Sequence, residues 1–157
     1  MRDSGFSLVE LIVVIAIIGI LLAIATLGFE RMLTNYRIEK VATELLSDVA
    51  ALRMQAMTRK VPHSITLNAN NYVLMREATT IATKNSEFNL TDSDGDLLAG
   101  SVITFDERGL SGSGALFGQT IVVGPADGSA AVNCVVISNA RGNMGKWNAT
   151  TKKCEFR

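Results

Sequence analysis

The sequence predicts an α+β protein: a long N-terminal helix, membrane-spanning over its first half, packed on a C-terminal antiparallel β-sheet domain. Three observations carry this. Residues 11–29 are nineteen consecutive positions without a charge, and as a helix they span about 28 Å, close to the thickness of a bilayer's hydrocarbon core. Residues 30–60 hold no proline or glycine and repeat apolar side chains at helical steps. After Pro62 the apolar period falls to two and is interrupted by clusters of Gly, Asn and Asp.

The first element is apolar all round, and its one anomaly is Glu10 at the edge of the run, with no basic residue within seven positions. A carboxylate carried to mid-membrane costs roughly 2.5–3.5 kcal/mol on insertion scales, so this one calls for a function. An ordinary signal peptide would place its small-residue cleavage site at Ala23-Ile24-Ala25. Its n-region, however, would carry only Arg2, offset by Asp3, and its apolar core would contain a glutamate. A plain single-span anchor has no use for Glu10.

Gly5, Phe6 and Glu10, set in Gly-Phe-Ser-Leu-Val-Glu-Leu ahead of a membrane-length helix, resemble the signature of the type IV pilin and pseudopilin superfamily. The resemblance implies that a membrane peptidase on the cytoplasmic side cuts after Gly5 and methylates the new amino terminus at Phe6. It also implies an assembly role for Glu10, met in a filament by the Phe6 ammonium of a neighbouring subunit. Each buried charge satisfies the other, and each penalises a wrong position, so such a pair sets axial register more than it adds adhesion. The leader here lacks the Lys/Arg-rich character usual in the family. The chain then divides into a leader at 1–5, a transmembrane or filament-core segment at 6–29, an amphipathic helical segment at 30–60 and a β-rich domain at 61–157.

In the amphipathic segment Ile38, Ala42, Leu45, Val49, Leu52 and Ala56 draw one stripe. Arg37, Lys40, Glu44 and Asp48 fall on an adjoining polar face, with Lys40 and Glu44 at salt-bridge spacing. Arg59 and Lys60 suit a C-terminal turn, and Pro62 ends the run. His63-Ser-Ile-Thr-Leu and Tyr72-Val-Leu-Met-Arg read as a hairpin through the Asn-Ala-Asn-Asn of residues 68–71. Further strands are expected at residues 101–105, 120–123, 132–138 and near 153–156. The stretches 91–96, 109–118 and 124–128 have turn chemistry. One antiparallel β domain is the economical reading.

The long helix carrying Leu-Arg-Met-Gln-Ala-Met from Leu52, the Ile-Thr-Phe-Asp-Glu-Arg-Gly from Ile103, and the Val-Val-Ile-Ser-Asn-Ala-Arg-Gly from Val135 look like the GspH/FimT group of minor subunits. That group's final Gly-Arg turn is replaced here by Ala140-Arg141-Gly142. A body outside the cytoplasm would let Cys134 and Cys154 pair, closing a loop of about twenty residues for on the order of 3 kcal/mol; the alternative is two buried thiols. The pair is more typical of type IV pilus minor pilins than of secretion pseudopilins.

Formal net charge is zero over 157 residues, so no global basic field advertises nucleic acid. Asp92, Asp94 and Asp96 resemble the start of a calcium loop, but Leu97 and Ile103 occupy its glycine and glutamate positions. They form a weak calcium candidate beside the reading as a solvated acidic turn. His63 is the only histidine, so neither a nucleophile–base pair nor a zinc site is argued. The glycine-rich 109–118 stretch lacks the lysine of a phosphate loop. The tail offers a rival function: Arg141, Lys146, Lys152 and Lys153 as phosphate contacts, with Trp147 stacking on an unpaired base. Its bland counterpart is a disulfide-closed surface loop with Trp147 tucked inward.

The function expected is that of a non-enzymatic minor pilin of a type IV pilus, with a type II secretion pseudopilin as alternative and a DNA-binding pilin of natural transformation as the second. No cofactor is expected. The partners implied are other pilin subunits through the N-terminal helix, the prepilin peptidase, an inner-membrane assembly platform, membrane lipid and, for the rival reading, DNA. The expected location is the bacterial inner membrane, N-terminus cytoplasmic and β domain periplasmic, and afterwards the filament.

Overall fold

A computed structural model describes residues 7–113, 118, 120–125, 129–139 and 141–156, with the backbone alone at 24–27, 112 and 113. The chain divides into two units, Met1–Thr34 and Asn35–Arg157. A single helix, α1 (Leu8–Arg59), runs through both.

In the first unit α1 opens with the Leu11 amide donating to the Ser7 carbonyl at 3.2 Å. Leu8, Val9, Leu11, Ile12, Ile15, Ile18 and Leu21 are all exposed. By length and composition this helix is able to cross a membrane, and none of its most apolar window is buried by the rest of the protein.

Among its described residues the second unit holds ten strands: β1 (His63–Leu67), β2 (Asn71–Arg76), β3 (Thr79–Asn85), β4 (Leu90–Thr91), β5 (Ser101–Phe105), β6 (Ser111–Ser113), β7 (Thr120–Val123), β8 (Cys134–Ile137), β9 (Gly142–Asn148) and β10 (Lys153–Phe156). They form two five-stranded sheets, ordered β3-β2-β1-β5-β6 and β10-β9-β8-β7-β4. Every strand pairing in both is antiparallel. The chain visits the second sheet at β4 before returning to the first at β5, which ties the two together.

The expected stripe is the core face of α1: Ile38, Ala42, Leu45, Val49, Leu52 and Ala56 are all buried. They meet Ile65, Leu67, Ile103 and Phe105 from one sheet and Ile121, Val123, Val135 and Ile137 from the other, in one continuous cluster. Each large aliphatic side chain so enclosed contributes about 1.5–3 kcal/mol. The helix ends where Lys60 turns left-handed at φ 56 and its amide reaches back to the Ala56 carbonyl at 3.0 Å, a left-handed cap of the usual kind.

The adjoining polar face is not simply solvated. Asp48 accepts from the Tyr72 hydroxyl at 2.7 Å and from Lys84 Nζ at 3.0 Å, so α1 is fastened to β2 and β3 through one carboxylate. Burial and this hydrogen bond raise the Tyr72 hydroxyl well above the ordinary tyrosine range. The expected Lys40–Glu44 pair does not occur among the ion pairs of the described residues.

Candidate functional site

Two regions bear on function: the start of α1 and the tail built on β8–β10. Glu10 lies in the first turn of α1, where a negative charge suits the helix N-terminus. It is exposed and flanked by the exposed side chains of Val9 and Leu11. No ion pair engages it among the described residues. A carboxylate on an otherwise uncharged apolar surface is costly to carry out of water in its ionised form. Gly5 and Phe6, the expected cleavage and methylation positions, lie outside the described residues.

Cys134 and Cys154 are bridged, with Cα atoms 6.0 Å apart. The bond links β8 to β10 across the intervening β9. It sits on the sheet face turned away from the main core, in a second cluster with Val122, Trp147 and the partly buried Val136. The register explains the assembly, since Cys134 pairs with Val122 and Gly145 and Cys154 with Trp147. Gly145 is required by close approach: a Cβ there would collide with the Glu155 carbonyl on β10. Asn133 adds a buried tie, its Oδ1 accepting from the Trp147 amide at 2.7 Å.

This arrangement agrees with the reading of a disulfide-closed end with Trp147 tucked inward. Trp147 is only 7% exposed, because it packs into the disulfide cluster, and it offers little ring surface to a base. Lys152 is engaged as well, its Nζ bonded to Asp94 Oδ1 at 2.9 Å, and this partner raises the Lys152 pKa. Strand alternation places Lys146 and Lys153 beside Glu155 and Asn148, with Asn148 Nδ2 donating to Glu155 Oε1 at 2.6 Å. Arg141 stands apart, at the start of the β8–β9 connection's return. Of the five residues, Trp147 is buried and Lys152 is paired with Asp94.

The acidic loop has its own internal work. Asp92 Oδ1 accepts from the amides of Asp94 at 2.8 Å and Asp96 at 3.0 Å, and Gly95 takes the positive φ the turn requires. With Asp92 holding backbone and Asp94 holding Lys152, the three carboxylates are not gathered into a cage. No cluster of three or more metal-ligating side chains occurs among the described residues. His63 is buried with Nδ1 2.9 Å from the Val61 carbonyl, a core histidine at the helix–sheet junction.

The Arg-Gly turn after β5 has a clear physical role. Asp106 Oδ1 caps the turn by accepting from the Leu110 amide at 2.8 Å and the Arg108 amide at 2.9 Å, bonds that hold its carboxyl below the usual range, Leu110 foremost. Gly109 adopts φ 72 and lies so close to Met57 and Arg53 that a Cβ would clash. Arg53 Nε donates to the Gly109 carbonyl at 2.8 Å, locking the turn to α1. The Asp48–Tyr72–Lys84 group was the tie that sequence reasoning missed. Its signal was present in Asp48, one turn from the buried stripe and set among apolar neighbours.

Comparison with known proteins bears on the N-terminal segment and on the fold. The family described as the prokaryotic N-terminal methylation motif matches residues 1–26. Two proteins named fimbrial protein, from Pseudomonas aeruginosa, are each 28% identical over 156 residues, covering 96% of this chain and 87% of theirs. The crystal structure of the type IV minor pilin FimU from the same organism shares the fold, with a TM-score of 0.50 at 14% identity over 75% of this chain and 92% of that one.

Proposed function

We propose, for a chain with the N-terminal motif and fold of the type IV pilin superfamily, that it works as a minor pilin: a structural, non-enzymatic subunit that joins a type IV pilus. The observation that carries this is the exposed apolar first unit with one carboxylate in its first turn. Such a surface is stable in lipid or against other apolar helices, and not in water. Pilin-type assembly supplies both environments in succession. The names and the printed description of the matched relatives, fimbrial protein and type IV minor pilin, favour the pilus over a secretion pseudopilus.

In this reading prepilin peptidase removes residues 1–5 and methylates Phe6. The helix resides in the inner membrane with the β domain in the periplasm, and an assembly platform moves subunits into the filament. Glu10 then accepts the Phe6 ammonium of the neighbour, replacing water with a paired charge and fixing the axial step. The disulfide suits an oxidising compartment and holds the small three-stranded end of the second sheet. DNA binding is left out of the proposal, because Trp147 is buried in the disulfide cluster and Lys152 is paired with Asp94 at the surface.

The test is Glu10→Ala in the producing cell. Membrane insertion and the folded domain should persist, while recovery in sheared filaments falls steeply. Normal incorporation would overturn the role given to Glu10.

A further inference from the structure

A groove of about 430 Å³ opens between α1 and the junction of the two sheets, on the unit formed by residues 35–157. Its floor and walls are Val49, Met54 and Met57 from α1, with Phe105 and Ile137 from the sheets. Its polar side chains are few: Arg53, Arg141 and Ser138. We propose that this groove is a binding site for a single-tailed amphiphile with an anionic head, of the chemical class of a medium-chain fatty acid.

Three features select that class. The volume and mostly apolar lining are those of a small-molecule site with a few placed polar groups. The two methionines supply flexible, polarizable walls that adapt to a chain without defined shape. Among the described lining residues the charged groups are two guanidiniums and none is a carboxylate, which selects an anionic head. Arg141 is exposed and makes no side-chain hydrogen bond or ion pair among the described residues; it is the head-binding group. Arg53 adds positive potential while its Nε stays on the Gly109 carbonyl.

A peptide fits less well. The Ser138 hydroxyl is already donated to the Arg141 carbonyl at 2.9 Å, and the Ser138 amide donates to the same oxygen at 2.8 Å. Gly142 is paired with Ile137 in the sheet ladder. The wall therefore has little left to satisfy a peptide's own amides and carbonyls, which are costly to bury unpaired. An acyl chain brings no such groups.

The experiment uses the full chain in phosphatidylcholine nanodiscs and a diazirine-bearing dodecanoate as photoprobe, with adducts mapped by peptide mass spectrometry. The proposal expects adducts on the peptides carrying Val49–Met57 and Ile137–Gly142, competed away by unlabelled dodecanoate. Labelling should fall about tenfold or more in Arg141→Gln, the loss of one charge-assisted contact, and recover in Arg141→Lys. Ala50→Trp, at an exposed position on the lip, should block it by filling the groove. A dodecylamine probe should leave the groove unlabelled. Adducts confined to residues 8–29, equal labelling by the amine, or full labelling of Arg141→Gln would each overturn it. None of these outcomes bears on Glu10 or filament entry, so the two readings fail separately.

Discussion

The two parts of α1 have the same secondary structure and opposite solutions to the same problem. Around Leu8–Leu22 the apolar side chains stay about half or more exposed, from 43% at Val14 to 73% at Leu8. Along Ile38–Ala56 every stripe residue is buried, none more than 4% exposed. Helical propensity differs between them, the first being rich in Ile and Val and the second in Ala, Leu and Glu, yet both are helical. The later segment restricts its apolar residues to one face and covers that face with its own sheets. The earlier one is apolar on all faces, and its described side chains are exposed. One half of the helix is completed by folding, the other only by lipid or other subunits.

The sharpest way to break that comparison is to make the same change in each half. Leu45→Ala, at a fully buried position, should lower domain stability by about 2–5 kcal/mol. Ile17→Ala should leave the urea midpoint of the domain unchanged while weakening filament entry. Equal effects of the two on the midpoint would erase the distinction.

Next in size is the disulfide. Cys134→Ala with Cys154→Ala should lower stability by about 3 kcal/mol and red-shift the emission of Trp147, the one tryptophan, as its cover loosens. An unshifted spectrum at unchanged stability would mean that the second cluster does not depend on the bond. Gly145→Ala should cost about 1–3 kcal/mol by overpacking, because the new methyl meets the Glu155 backbone. Gly28→Ala, with open space around it, should leave the domain untouched.

A smaller effect tests how the helix is fastened. The Tyr72 pKa is raised on folding, by burial first and the Asp48 bond second. The folded state thus favours the protonated phenol. This contribution is complete below the unfolded tyrosine value of about 10 and is lost as pH rises from there toward the higher folded value. Wild type should therefore lose stability between pH 9 and 11 more steeply than Tyr72→Phe. Parallel profiles would remove Tyr72 from the account. At neutral pH Tyr72→Phe should cost about 1–2 kcal/mol through the lost hydrogen bond. Smallest of all is Lys152→Ala, which should leave the urea midpoint unchanged, since Lys152 and Asp94 are both well exposed at 63% and 66%.

What was legible in the sequence follows from the same physics. The six-residue stripe and strands β2 and β5 were readable from apolar periodicity, and β1, β7, β8 and β10 as short apolar or β-branched runs between turn signals, β7 and β8 being buried on both faces. Strand β3 was not, because its side chains are largely exposed and its turn uses Glu77 at φ 53 in place of a glycine or asparagine. Strands β4 and β6 are two and three residues long, too short for any pattern. Strand β9 hides behind Gly142 and Gly145, which read as loop but are there for closeness: a Cβ at the first would strike Leu46 and at the second Glu155. The disulfide partners followed from compartment and count. The inward Trp147 is among the sequence readings of the tail and is buried; that β9 lies between the two cysteines has no local signal.

The central claim is that the first unit is a processed assembly element and not a discarded signal or a plain anchor. Intact-mass analysis of the membrane-extracted protein, with N-terminal peptide mapping, tests it most directly. The account predicts a chain that begins at N-methylated Phe6. A chain beginning after Ala25, or one still carrying Met1, would contradict it.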